Sequence, residues 1–154
     1  MSASDTPALD QRAADIPLLC ATYVSENLVT GSIAGWAAEI EDILHCSRRW
    51  NTLLGVTGAL LLTERHFVQV LEGPSPSLRL TLDRICSDPR YRILRSELRP
   101  LDGRSFTGWS MGYVEPCAGN AGRITPLCRL SWGEATPPPA MLMMHSILAR
   151  AATA

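Results

Sequence analysis

Residues 59–72 set the frame for the rest of the chain. Residues 59–63 form an apolar run entered between Gly55 and Gly58, residues 64–66 are short and polar, and residues 67–72 are largely apolar again. Two such runs joined by a short polar stretch read as a β-hairpin. Upstream, Ser32 offers a capping hydroxyl, and Ile33, Trp36, Ala37, Ile40, Ile43 and Leu44 follow at helical spacing. Continued by seven residues from Leu44, that stripe reaches Asn51, which places its amide at the helix end on the core side. Downstream, Ser75 followed by Pro76 marks a second helix start, a capping hydroxyl and then a proline where its missing N–H costs nothing. Leu78, Leu82 and Ile85 line this helix, which is expected to stop before Pro89. Residues 18–25 read as a buried first strand, 92–100 as a fourth and 106–114 as a fifth.

The order β-α-β-β-α-β-β predicts an α+β fold. It is the ferredoxin-like β-α-β-β-α-β arrangement with an added fifth strand and two helices on one sheet face. The 154 residues, 46% of them hydrophobic, suit one domain of ordinary size. Residues 1–16 read as a flexible N-terminal arm, 17–115 as the folded unit, and 116–154 as an irregular segment followed by a C-terminal helix. That last helix, over 141–152, carries Met141, Met144, Ile147 and Leu148 on one side. It is too short to be stable alone. The sheet face opposite the two helices, with Val24, Val68 and Val70, is its expected dock.

Charge and cysteine usage exclude several function classes. The formal net charge is −1 and no basic stripe stands out, so no nucleic-acid surface is expected. The first segment, with Asp5, Asp10 and Asp15, lacks the basic start and apolar run of a signal peptide. Apolar runs such as 56–62 are far too short to span a membrane. The five cysteines are odd in number and none share a C-x-x-C spacing, so reduced thiols in a cytoplasmic protein are expected rather than disulfides or zinc. His45, His66 and His145 are scattered and suggest no metal cluster.

Polar groups fall where a core should be. Residues two apart on a strand share a face. Phe67, Gln69 and Leu71 therefore share one, as do Leu19, Ala21, Tyr23 and Ser25, and as do Trp109, Met111 and Tyr113 on the fifth strand. In a ferredoxin-like sheet the first and third strands are central neighbours, so Tyr23 and Gln69 can meet. A buried amide left without partners costs on the order of 1–3 kcal/mol, so Gln69 demands them. Singly, the others have plain readings: Tyr23 as a core aromatic, Asn51 as a helix C-terminal cap, Trp109 and Met111 as core. Together they form a pattern.

That pattern resembles the BLUF family, the blue-light sensors that use flavin. The matching stretches are ATYVS around Tyr23, SRRWNTLLGVTGALL around Asn51, HFVQVLEGP around Gln69, LDRICSDPRYR in the second helix and its exit, and FTGWSMGYV in the fifth strand. They cover about residues 17–115, in the family's order and spacing. The resemblance implies a non-covalently bound flavin, usually FAD with FMN as the alternative, slotted between the two helices with its ring edge toward the sheet. Carried over position by position, Tyr23 matches the tyrosine that gives an electron and a proton to the excited flavin. Gln69 matches the glutamine bridging that tyrosine and the flavin N5/O4 edge, and Asn51 the asparagine holding the polar edge of the ring. Trp109 and Met111 match residues near the glutamine that carry the signal outward, and Arg84 and Asp88 match positions near the ring edge or ribityl chain. Asn and Gln each offer a donor and an acceptor, which suits an amide-like ring edge in an apolar slot.

Two departures stand out. Trp50 occupies a position where the family often has a small polar residue or histidine, and Tyr91 and Arg92 replace histidines often found after the second helix. The indole at Trp50 has three readings: packing near the flavin, competing as electron donor, or pointing to solvent.

The resemblance further implies a photoreceptor without catalytic output that signals to a downstream protein or through a change of homo-oligomer. An enzyme on the same fold is the competing class, but no glycine-rich phosphate loop and no nucleophile–base pair is placed by spacing. The third reading is a light-insensitive interaction module that has lost flavin. The asparagine-cysteine-arginine motif of the cysteine-adduct flavin photosensors is missing.

Overall fold

The computed structural model describes residues 16–62, 65–108 and 110–114. Its elements are β1 (Leu18–Asn27), α1 (Ile33–Leu54), β2 (Thr57–Leu62), β3 (His66–Pro74), α2 (Ser75–Cys86), β4 (Tyr91–Leu101) and β5 (Gly112–Val114). The sheet order is β4-β1-β3-β2-β5. β1 runs antiparallel to β3 and β4, β2 antiparallel to β3, and β5 parallel to β2. This is the expected ferredoxin-like sheet, with the fifth strand added on the outer edge of β2. The expected arm over 1–16 falls almost wholly outside the described residues. So do the segment 116–154 with its candidate helix, and Trp109.

α1 begins as its sequence suggests: Ser32 Oγ accepts from the Gly35 N–H at 3.1 Å. Its packed stripe starts later than periodicity suggests. Ile33 is 90% exposed, and the buried residues are Ile40, Ile43, Leu44 and Asn51. Periodicity gives the direction of a helix face but not the point along it where the sheet begins. Gly55 closes the helix at φ 67°, a left-handed conformation that glycine takes without steric cost. Asn51 is therefore not the cap; it lies one turn earlier and faces inward.

α2 departs from expectation at its start. Ser75 does not cap the helix; it is the first helical residue, and its N–H donates to the Pro17 carbonyl at 3.0 Å. The cap position is Pro74, and Pro76 sits in the first turn. The helix ends at Cys86, before Pro89, as expected.

The fifth strand is a larger correction. Strand geometry covers only Gly112–Val114, not the whole of 106–114. The backbone groups before it are engaged elsewhere. The Ser105 and Phe106 N–H groups donate to the Glu72 carboxylate. The Ser110 and Met111 carbonyls accept from Asn51 and Arg48. An N–H taken by a carboxylate is not available to a ladder, which keeps Phe106 out of the strand.

The core between helices and sheet gathers Tyr23, Leu60, Phe67, Leu71, Leu78, Ile85 and Met111. The opposite face is buried too: Val24, Val68 and Val70 have no exposed area. The helix expected to dock there lies outside the described residues. β2 and β3 approach closely at Gly58, where an added Cβ would stand 2.0 Å from the Val70 carbonyl oxygen. Among the described residues, Cys20, Cys46 and Cys86 are free thiols, no group of His, Cys, Asp and Glu could hold a metal ion, and no helix is long and apolar enough to cross a membrane.

Candidate functional site

The antiparallel pairing of β1 with β3 sets Tyr23 directly opposite Gln69. Both are buried, at 1% and 6% exposure. Tyr23 Oη is fully buried and has no hydrogen-bond partner. Burial pushes the Tyr23 phenol well above its usual pKa, and the charges of Tyr91, Cys86 and Asp88 add to the rise. The hydroxyl therefore keeps its proton. Gln69 Nε2 donates to Met111 Sδ at 3.5 Å, a weak acceptor. The two groups that the sequence brings together thus stand side by side without bonding to each other.

Asn51 projects inward from the last turns of α1, 1% exposed, and its Nδ2 donates to the Ser110 carbonyl at 2.7 Å. Arg48, three residues earlier on the same helix, donates Nε to the Met111 carbonyl at 3.2 Å. Three side chains from two elements therefore hold Ser110 and Met111: Asn51 and Arg48 from α1, and Gln69 from β3.

A cleft of about 150 Å³ opens between α1 and α2. Asn51 and Gln69 line its inner end, Ile43, Thr81 and Ile85 its walls, and Arg84 and Asp88 its α2 side. Trp50, 42% exposed, stands where this cleft meets a wider outer depression. The Arg84 guanidinium lies 3.9 Å from the centre of its indole, a cation–π contact that links the two helices. The indole thus both lines the cleft and meets solvent.

Asp88 lines the cleft, but its carboxylate belongs to Arg90. Arg90 Nε reaches both oxygens at 3.0 and 3.1 Å, and Nη2 reaches Oδ2 at 2.7 Å. Burial alone would raise the Asp88 pKa, but the Arg90 hydrogen bonds and charge outweigh it and hold the carboxyl below its ordinary range. Arg90 Nη1 also bonds Glu39 at 3.2 Å and Asp42 at 2.9 Å, tying the exit of α2 to α1. Of the two residues that replace histidines, Tyr91 lines the cleft and packs edge-on against Phe67 with ring centres 5.5 Å apart. Arg92 pairs with Glu26.

The residues singled out from sequence thus converge. Asn51, Gln69, Arg84 and Asp88 line one cleft, Tyr23 sits behind Gln69, and Met111 touches Gln69. Trp109 lies outside the described residues. Sequence reasoning missed Arg48, Arg90 and the Ser110 carbonyl. It also missed the lining residue Ser47, although it sits at i−4 from Asn51 and helical spacing could have found it, as it found Ile43. The chemistry fits a planar ring with an amide-like edge: Ile43, Ile85, Trp50 and Tyr91 offer apolar surface among polar neighbours, two amides stand at the inner end, and a buried phenol lies on the adjacent strand.

A family model described as sensors of blue-light using FAD matches residues 18–112. The chain is 40% identical over 53 residues to the blue light- and temperature-regulated antirepressor BluF of Escherichia coli, covering 34% of this chain and 13% of that protein. It is 33% identical over 76 residues to the photoactivated adenylate cyclase subunit alpha of Euglena gracilis, covering 49% of this chain and 8% of that protein. The chain thus spans only a small part of the length of these relatives. Among solved structures, dark-state BlrB, described as a BLUF protein, superposes with a TM-score of 0.69 at 30% identity, covering 88% of this chain and 98% of that one. Photo-activated BlsA superposes with a TM-score of 0.64 at 21% identity, which speaks for the fold.

Proposed function

This chain belongs to the BLUF family of flavin-using blue-light sensors, and from that premise we propose that Tyr23 and Gln69 are its photochemical pair, with Asn51, Arg84 and Asp88 shaping the flavin site. The observation that carries this is the buried Tyr23 hydroxyl, without a hydrogen-bond partner among the described residues, on a residue paired in register with Gln69. An orphaned buried hydroxyl is costly and calls for an explanation. A bound flavin would supply absorption of blue light and an excited state able to accept an electron.

The protein's own part is positional and protic. Tyr23 holds its proton at Oη in the dark, since burial disfavours the phenolate. Gln69 carries a donor and an acceptor on one amide, so a change in its orientation alters which atom faces Oη. Asn51 and Gln69 orient the polar ring edge, and Ile43 and Ile85 offer apolar contact to the ring. Arg84 serves the polar side of the ligand, and Asp88 acts through the position Arg90 gives it. Met111 and Trp109 carry a change at Gln69 outward.

The further parts of this reading are that the bound form is FAD, that 17–115 is the flavin-binding unit, and that 1–16 and 116–154 flank it. Output passes to a partner protein or through homo-oligomer contacts rather than through catalysis in this unit, in the cytoplasm, without nucleic-acid or membrane contact.

The test is an absorption spectrum of protein purified in darkness, before and after blue light. A yellow protein is expected, whose flavin bands move slightly to longer wavelength without bleaching and return in the dark. A preparation that stays colourless after incubation with FAD defeats the reading and favours the light-insensitive module. The mass of the released flavin separates FAD from FMN.

Trp50 is not the productive electron donor in this scheme. Its indole is 42% exposed and stacked on Arg84, whereas Tyr23 is enclosed beside Gln69. The Trp50→Phe variant should photoconvert with an unchanged spectral shift. Loss of photoconversion with flavin retained would transfer the donor role to Trp50.

A further inference from the structure

Glu72 is a carboxylate with no exposed area. Among the described residues no counter-ion contacts its carboxylate. Oε2 accepts two backbone N–H bonds, from Ser105 at 2.8 Å and Phe106 at 3.0 Å, while Oε1 has no partner. Arg104, next in line, bonds the backbone rather than the carboxylate. Its Nη1 reaches the Glu72 carbonyl at 3.1 Å and Thr57 Oγ1 at 3.0 Å, and its Nη2 reaches the Gly55 carbonyl at 2.6 Å. Residues 104–106 are thereby fastened to the ends of α1, β2 and β3 at once.

The position of this anchor matters. Gln69 and Glu72 are three residues apart on β3, so their side chains leave opposite faces of the sheet. Glu72 holds Ser105 and Phe106, and Gln69 holds Met111. One strand therefore grips the same connecting segment twice, once from each face. The second grip is the one that reads the photochemical amide.

We propose that Glu72 is a positioning residue of the light response: it fixes the register of residues 104–111 and so seats Ser110 and Met111 against Asn51, Arg48 and Gln69. The proposal rests on the sensor reading given above. With its far end pinned, the segment has few places to go. A rearranged Gln69 must then move a constrained neighbour to return, which keeps the barrier between the two arrangements high. Released at Glu72, the segment samples more positions and the barrier falls.

The test uses the full chain with flavin bound, and the variants Glu72→Ala, Glu72→Asp and Glu72→Gln. Alanine removes the acceptor, aspartate withdraws it while keeping the charge, and glutamine keeps a carbonyl oxygen in reach of both N–H groups. In darkness, hydrogen exchange at Met111 and Gly112 should quicken about tenfold in the alanine variant, the factor that one lost buried hydrogen bond represents. Aspartate should shift exchange the same way, and glutamine should restore slow exchange. Dark recovery of the light-induced shift should quicken in step, by about the same factor. Val24→Ala, a core truncation on the same sheet face whose β3 partner, Val68, lies four residues from Glu72, should leave recovery unchanged and so controls for general loss of stability. If Glu72→Ala does not fold, Glu72→Asp decides. Faster exchange confined to Ser105 and Phe106, or recovery at the parent rate or slower, overturns the proposal. A parent protein that does not photoconvert counts against the sensor reading instead, and the dark exchange result then decides the role of Glu72 alone.

Discussion

Leucine in place of Gln69 should abolish the light-induced spectral shift while leaving flavin bound. Gln69 sits at the inner end of the cleft, 6% exposed, opposite Tyr23 and in contact with Met111. Leucine is close to glutamine in size, so the pocket keeps its shape, but it offers neither donor nor acceptor beside the Tyr23 hydroxyl. The Tyr23→Phe variant should lose the shift by the complementary route. It deletes a hydroxyl that has no partner among the described residues, so in the flavin-free chain it should be neutral or stabilising by up to about 1 kcal/mol. That sign is informative, because a hydroxyl held by a hydrogen bond within the chain would cost stability on removal. Difference spectra before and after blue light, paired with thermal unfolding of the flavin-free chains, provide both readouts. A normal shift in either variant would sink the assignment of the photochemical pair.

Substituting alanine at Gly58 should be among the most damaging single changes in the chain. A Cβ there would stand 2.0 Å from the Val70 carbonyl oxygen, 3.0 Å from its carbonyl carbon and 3.1 Å from the Leu71 Cα. All three are backbone atoms of the neighbouring central strand, so no side-chain rotation relieves the overlap. β2 must move away from β3, which opens the sheet between its second and third strands in the sequence. Ordinary overpacking costs about 1–3 kcal/mol. A backbone clash of this kind should exceed that range, against a total stability of about 5–15 kcal/mol for a domain. A fall in Tm of roughly 10 °C or more is expected, or insoluble protein. The Gly103→Ala variant, with nothing within 4 Å of the added carbon, is the matched control and should change little. A Gly58→Ala protein as stable as the control would mean that β2 does not approach β3 this closely.

The sheet order and the meeting of Tyr23 with Gln69 were legible because both follow from alternation and helical period, which the residues carry locally. The inward orientation of Asn51 was legible for the same reason, as a continuation of the α1 stripe. The connecting segment was not. Residues 106–114 alternate well enough to read as a strand, yet their backbone groups bond to Glu72, Asn51 and Arg48, all distant in sequence. Nothing local announces that an amide hydrogen will be taken by a carboxylate 33 or 34 residues away. The Ser75 cap failed for a similar reason: its N–H found the Pro17 carbonyl across the fold, and the helix started one residue sooner. Asp88 was rightly placed at the cleft, but its partner Arg90 is a long-range latch to Glu39 and Asp42 that spacing alone does not reveal.

Among the described residues β5 joins the sheet through three, and its approach is held by the side chains of Arg48, Asn51 and Gln69. The antiparallel pairings among β1 to β4, by contrast, are made by backbone groups. The sheet order is thus set by the main chain, whereas the seat of residues 110 and 111 is set by side chains. Under the sensor reading proposed above, the lifetime of a signal would be adjusted by side-chain substitution without a change of fold.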